Sequence, residues 1–351
     1  MGGRRTWRRF SGVFVSAAFV SHAALAVTSP AQAEPGLPPT GSADWGVPWV
    51  VRPVAPEEVS IDHVEEISDR WLRVFVNSPA MARTVQVQVL LPADRDTPRP
   101  TVYLLDGRAA SDDGNSWLDQ GNAADFFADK QVNVVATVGG PAGYYTDWQH
   151  PDPVLGNNKW ETFLTKELPP LIDAEFGGNG HNAIEGVSMG AEAATMLVMR
   201  NPGLYRAVAA HSGCYAMGSE FGQAQARAVV QTYGGNPDNM FGDQDDPDWA
   251  AHDVLMNAEA LRGKAIYLSA GSGLPGAFDS AATMDALNAV VFGGPLEAGA
   301  NICTMVLADR LSRMQIPATV DMRPSGTHSW RYWADDLAHA WPTLAAALGA
   351  E

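Results

Sequence analysis

The sequence predicts an α/β protein with a mostly parallel central sheet covered by helices on both faces. Short apolar or β-branched runs alternate with longer amphipathic segments along most of the chain. One of those runs ends in a serine bracketed by glycines that opens a helix, a strand–turn–helix unit. No long linker and no 20-to-50-residue repeat divides the sequence, so a single domain with insertions is expected.

The elements follow in order. Residues 1–33 read as an export signal, with Arg4, Arg5, Arg8 and Arg9 ahead of an apolar stretch that ends at Ala31-Gln32-Ala33. Ser11, Ser16, Ser21 and His22 interrupt that stretch, which argues against a membrane anchor. Residues 34–70 form an extended lead-in, rich in Pro and Gly at its start, and 71–351 are the domain. Strands are expected at 74–77, 84–91, 101–105, 132–138, 182–187, 207–210, 266–270 and 318–322, the first of them an antiparallel edge. Helices are expected at 123–129, 160–176, 189–200, 224–233, 298–315 and 333–348.

Charge and composition narrow the function. With 46% apolar residues the chain can bury a sizeable core, which excludes a largely disordered protein. The net charge is −17, and without residues 1–33 it is 19 − 40 = −21. A surface of that sign disfavours nucleic acid and anionic headgroups. The acidic run at 234–253 lacks the glycine and glutamate spacing of a helix-loop-helix calcium site and reads as a solvated insertion. No H-E-x-x-H, P-loop or CxxC is present, so no metal or cofactor is expected. Cys214 and Cys303 would both follow export into an oxidising compartment, where one disulfide is expected between them.

The chemistry centres on Gly186-Val187-Ser188-Met189-Gly190. A turn this tight needs glycine on either side, and it lifts the serine hydroxyl onto the sheet edge at a helix N-terminus. Serine needs a base, and the chain order expected here is Ser, acid, His. Of His252, His328 and His339, only His328 stands in a loop between the last strand and the last helix, the place from which a base reaches the sheet edge. His211 ends a strand and reads as structural. For the acid, Asp279, Asp285 and Glu297 all follow the 266–270 strand, and position alone does not choose among them. Met189 and Arg108, the latter in the turn Asp106-Gly107-Arg108, are placed to offer oxyanion N–H donors. Gly271-Ser272-Gly273-Leu274-Pro275-Gly276 matches a dinucleotide fingerprint, but Pro275 and its late position argue against that use.

Several ordered motifs carry a family resemblance. Leu104-Leu105-Asp106-Gly107, Asp112-Asp113-Gly114-Asn115-Ser116-Trp117, Val138-Gly139-Gly140, Tyr145-Thr146-Asp147-Trp148 and Lys159-Trp160-Glu161-Thr162-Phe163-Leu164 are five of them. With the elbow and Gly326-Thr327-His328-Ser329-Trp330-Arg331-Tyr332-Trp333, they resemble the bacterial mycolyltransferases that include the antigen 85 complex. The resemblance implies an α/β-hydrolase fold and transfer of mycolic acyl groups between trehalose esters or to cell-wall arabinan. It implies a Ser-Glu-His triad, and Leu296-Glu297 matches the family's Leu-Glu pair, so the acid becomes Glu297. It also implies that Asp106 and Trp330 contact sugar, and that Arg108 and Met189 form the oxyanion hole. Arg108-Ala109 replaces the family's Leu-Arg, and the Cys pair of the mycobacterial members has no counterpart, which bears on acceptor and acyl length. The function so implied is a secreted, envelope-associated acyltransferase. A secreted hydrolytic esterase and a non-catalytic envelope-binding protein are the alternatives.

Overall fold

The chain is described here from a computed structural model over residues 55–279 and 283–350. The expected export signal, 1–33, and the first part of the lead-in, 34–54, lie outside the described residues.

Three strands, β1 (Ser60–Ser68), β2 (Trp71–Ser78) and β3 (Arg83–Leu90), run antiparallel to one another. β4 (Arg99–Leu105), β5 (Asn133–Thr137), β6 (Gly178–Val187), β7 (Tyr205–His211), β8 (Ala265–Ala270) and β9 (Thr319–Met322) follow. Among the described residues they make one nine-stranded sheet, ordered β1-β2-β3-β5-β4-β6-β7-β8-β9. β3 meets β5 antiparallel, and every pair from β5 to β9 is parallel. The main helices are α1 (Leu168–Phe176), α2 (Met189–Arg200), α3 (Glu220–Thr232), α4 (Gly294–Arg313) and α5 (Trp330–Leu348).

Successive strand side chains point to opposite faces, so each strand feeds two cores. Tyr103, Leu105, Ile184, Val208 and Leu268 pack with Met196 and Leu197 of α2 and with Leu307 and Leu311 of α4. Val102, Leu104, Ala183, Ala207 and Ala209 pack on the other side with Trp333, Leu337 and Leu344 of α5. The alanines leave room for the large ring of Trp333, which is 5% exposed. This is the two-layered cover expected from the alternation of elements.

Some boundaries differ from expectation. Residues 60–68, assigned to the lead-in, form the outer strand β1. Seven of its nine residues are exposed, so it lacks the alternation of buried and exposed positions that marks a half-buried strand. Helical structure begins well before the expected 298: a helix at Met284–Asn288 and a wider turn at Ala289–Gly293 lead directly into α4 at Gly294. α5 begins at Trp330 rather than 333. The acidic segment 234–253 carries two short helices, Asp238–Phe241 and Pro247–Ala251, which bury Met240, Phe241 and Trp249. Asp246 caps the second by accepting from Asp248 N–H, and Asp238 pairs with Arg227. Its carboxylates hold turns and helix ends rather than forming a solvated loop.

Cys214, just beyond β7, and Cys303 in α4 form a disulfide with Cα atoms 4.9 Å apart at a sequence separation of 89. Closing a loop of that length removes unfolded-chain entropy. The Cys214→Ser/Cys303→Ser double variant is expected to lose about 2–4 kcal/mol of unfolding free energy. Urea denaturation checks it: the midpoint falls in the variant, and an unchanged midpoint would assign the bond no stabilising role.

Candidate active site

The elbow is built by close approach of backbone. A Cβ on Gly186 would lie 2.2 Å from Gly190 O, and one on Gly190 would lie 2.4 Å from Asp106 O. Neither contact is tolerable, so both positions require glycine, and α2 starts directly against the β4 loop. Ser188 takes φ 54°, ψ −120°, a conformation side chains rarely adopt. Its own N–H donates to His211 O at 2.8 Å, which ties the bend to β7.

The histidine loop brings His328 to this serine. His328 Nε2 lies 2.9 Å from Ser188 Oγ, and His328 Nδ1 lies 2.8 Å from Glu297 Oε2. Serine, imidazole and carboxylate thus form one hydrogen-bonded line. Glu297 sits in the first turn of α4 and is fully buried. Its other oxygen, Oε1, accepts from Ser212 Oγ at 2.8 Å and from Gly271 N–H at 2.5 Å. Trp333 Nε1 donates to Ser212 Oγ at 3.1 Å, and its ring meets that of His328 edge-on at 4.8 Å. The same tryptophan therefore packs against the imidazole and holds the serine that bonds the carboxylate.

The other acid candidates are elsewhere. Asp279 accepts from Thr327 Oγ1 at 2.8 Å, from Tyr332 Oη at 2.6 Å and from Gly276 N–H at 2.8 Å, so it pins the loop that carries His328. The side chain of Asp285 lies outside the described residues. His252 is buried with Nδ1 2.7 Å from Asp248 O, and exposed His339 faces Asp321. The glycine-rich run 271–276 serves the carboxylate: it supplies the Gly271 N–H, and a Cβ on Gly273 would lie 2.3 Å from Gly294 O at the start of α4.

Two backbone N–H groups in the elbow and the β4 loop have no hydrogen-bond partner among the described residues, those of Met189 and Arg108. Met189 is the first residue of α2, so its N–H has no intrahelical acceptor, and Ser188 does not cap it. Arg108 N–H makes no hydrogen bond among the described residues, while its carbonyl accepts from Ala142 N–H. Gly107 lies against Ser188, close enough that an added Cβ would touch the serine Cβ at 3.7 Å. Asp106, which the resemblance turns toward sugar, is 2% exposed. Its oxygens accept from Gly107 N–H at 3.0 Å and from Ser116 N–H at 2.8 Å. Here it braces the donor loop, and burial raises its pKa. Trp330 is half-buried, edge-on to Trp117 at 5.4 Å and to Trp333 at 5.1 Å.

Ser212 carries the geometry but had no signal of its own in the sequence, whereas Gly271, Asp279 and Trp333 were singled out there for other reasons and serve here as supports of Glu297 and His328. Glu192, like Ser212, had no such signal. It lies in the first turn of α2, where its Oε1 accepts from Cys214 N–H and Gln225 Nε2, each at 3.0 Å. Burial pushes it up to about 8, against those two hydrogen bonds. The unfolded chain releases this proton near the ordinary glutamate value of 4.5, whereas the folded chain keeps it. Stability present below that value is therefore lost as pH rises toward about 8, by up to about 1.4 kcal/mol per pH unit. Glu192→Gln is expected to flatten that decline between about pH 5 and pH 8, read as urea midpoints across pH. An equal slope in variant and wild type would count against it.

Comparisons with known proteins give the family and the fold. The esterase family matches residues 78–344. The diacylglycerol acyltransferase/mycolyltransferase Ag85A of Mycobacterium tuberculosis is 30% identical, covering 78% of this chain and 80% of its own. Ag85B of Mycolicibacterium smegmatis is 31% identical, covering 79% of this chain and 85% of its own. Among solved structures, M. tuberculosis MPT51 superposes with a TM-score of 0.68 at 24% identity, covering 80% of this chain and all of its own. An S-formylglutathione hydrolase from Agrobacterium tumefaciens gives 0.60 at 15% identity, covering 82% and 99%. These two likenesses bear on the α/β-hydrolase fold alone.

Proposed function

The chain belongs to the esterase family, and from that premise we propose that it is a secreted acyltransferase that moves a mycolic acyl group through an acyl-enzyme on Ser188. The observation that carries the proposal is the line Ser188 Oγ–His328–Glu297, at 2.9 and 2.8 Å. Supporting it are the two relatives named as mycolyltransferases at 30% and 31% identity.

The chemistry follows from the positions. His328 Nε2 takes the proton as Ser188 Oγ attacks the ester carbonyl, and Glu297 stabilises the imidazolium without taking the proton. The N–H groups of Met189 and Arg108 bind the oxyanion. As the tetrahedral adduct collapses, the donor sugar leaves with the proton from His328, and Ser188 keeps the acyl group. An acceptor hydroxyl then gives its proton to His328 and attacks, and the same steps in reverse release the new ester. Transfer exceeds hydrolysis when the acceptor sits closer to the acyl-enzyme than water does. Trehalose mycolates or related glycolipids are the donors in this scheme. Trehalose or cell-wall arabinan accepts, and Trp330 lies beside His328 in sequence to meet a sugar.

A lipid cargo suits the surface beside the site. α4, which carries Glu297, exposes Leu296, Ile302, Met305 and Val306. From 286 to 308 its segment contains no charged residue except Glu297, which is buried. Export is supported by the arginines and the Ala31-Gln32-Ala33 site. It also suits the Cys214–Cys303 disulfide, which persists in an oxidising compartment.

Mass spectrometry after mixing the protein with a trehalose ester is the test. The expected result is an acyl adduct on Ser188, absent in Ser188→Ala, that decays faster when trehalose is added and yields a new trehalose ester. Ser188→Ala is expected to lose about 10⁴-fold or more in kcat. Release of free acid alone would make the protein a hydrolytic esterase. No adduct, with no organophosphate labelling of Ser188, would make it a non-catalytic binding protein.

A further inference from the structure

Behind the triad lies a second set of charges that the acyl-transfer steps do not use. Arg323 follows β9 and donates its own N–H to Ala270 O at 2.9 Å. Its guanidinium pairs with Asp336 Oδ1 of α5, and its second terminal nitrogen stands 3.7 Å from Glu297 Oε1. Asp336 is fully buried; its Oδ2 accepts from Ser269 Oγ of β8 at 3.0 Å and lies 3.5 Å from His211 Nδ1 of β7. His211 Nε2 reaches Glu185 of β6 at 2.8 Å. Burial opposes charge on His211, but Asp336 and Glu185 outweigh it and push the imidazole up to about 9. The same His211 and Arg323 hold Asp336 below the usual carboxylate range, against the effect of its burial.

The distances divide the labour. Arg323 is clamped to Asp336, but 3.7 Å from Glu297 is beyond hydrogen-bond reach. The guanidinium therefore acts on Glu297 as a charge and does not compete with His328 for an oxygen. Oε1 takes the neutral donors Ser212 and Gly271, and Oε2 is left to His328. We propose that Arg323 is a positioning residue, tethered by Asp336, that sets how strongly Glu297 holds the protonated His328. The proposal rests on the triad assigned above.

The other groups facing this cluster are accounted for. Asp321 of β9 also adds to the charge around Arg323, but it is engaged by Tyr267 Oη at 3.1 Å and faces His339 at 3.6 Å. The Tyr332 ring lies 5.4 Å from the guanidinium, with its hydroxyl on Asp279. Tyr215, beside Glu297, is fully buried and burial raises its pKa well past neutrality. Arg323 and Asp336 are the pair whose removal changes the charge at Glu297 in opposite senses.

The test is the pH profile of kcat/KM on a soluble short-chain p-nitrophenyl ester, using the full chain, over about pH 5 to 9. With Arg323→Gln, uncompensated Glu297 holds the imidazolium more firmly, and the acidic limb moves up by about half a pH unit or more. With Asp336→Asn, Arg323 loses its counterweight and the limb moves down by a similar amount. The double variant returns the limb toward the wild-type position. Arg323→Lys keeps the charge and leaves the limb in place even if thermal stability drops, so a folding defect is told apart from loss of charge. Shifts of the same sign in both single variants, no shift in either, or an Arg323→Lys shift as large as that of Arg323→Gln would overturn the proposal. Organophosphate labelling of wild-type Ser188 is run first: its failure would remove the triad itself, whereas labelling with unmoved limbs would remove only the role of Arg323.

Discussion

A carboxylate buried without access to water dictates the layout of this site. Glu297 has no exposed surface, and an ionised group in that position is costly unless donors and cations surround it. Ser212, Gly271 and His328 supply the hydrogen bonds, and Arg323 supplies charge at longer range. Those partners come from the ends of β7, β8 and β9 and from the histidine loop. The carboxyl edge of the parallel strands is thus drawn together around one side chain. The elbow is the complementary constraint. Gly186 and Gly190 permit a backbone approach that no other residue allows, and this sets Ser188 at the distance His328 can span.

Much of this was legible in the residues. The elbow is readable because its glycines are required by contact, and the histidine because one loop alone sits between the last strand and the last helix. The sheet is readable from β2 onward because its strands are apolar or β-branched runs, and β4, β5, β7 and β8 are almost wholly buried. β1 was not, because its outward acids and exposed Val64 and Ile67 leave no alternation to detect. The choice between Asp279 and Glu297 was also closed to local reasoning. Both follow β8 within a short stretch, and their roles part only in three dimensions, where Asp279 meets Thr327 and Tyr332 while Glu297 meets the imidazole. The cluster of Arg323, Asp336, His211 and Glu185 has no sequence signature, since its members come from β6, β7, α5 and the loop after β9.

The Gly271–Gly276 run shows how a motif can be physically apt and still mean something else. Glycines there allow the loop to lie against the start of α4 and offer an N–H to a negative oxygen. A dinucleotide loop uses the same permissiveness toward a phosphate. Here the anion is the protein's own Glu297. The acidic segment 234–253 likewise reads as open, solvated chain, yet Asp246 caps the helix that buries Trp249 and Asp238 pairs with Arg227.

The outer strand β1 has a consequence for how molecules of this protein meet. Among the described residues it is a nine-residue border strand whose outer amides have no sheet partner, an edge of the kind that invites a neighbour to add itself to the sheet. Asp62, Glu65 and Glu66 stud that border, so a like strand arriving from another copy would meet its own sign of charge. The opposite border, β9, is only four residues long. Among the described residues, then, charge at one rim and shortness at the other both disfavour ribbon-like stacking of copies.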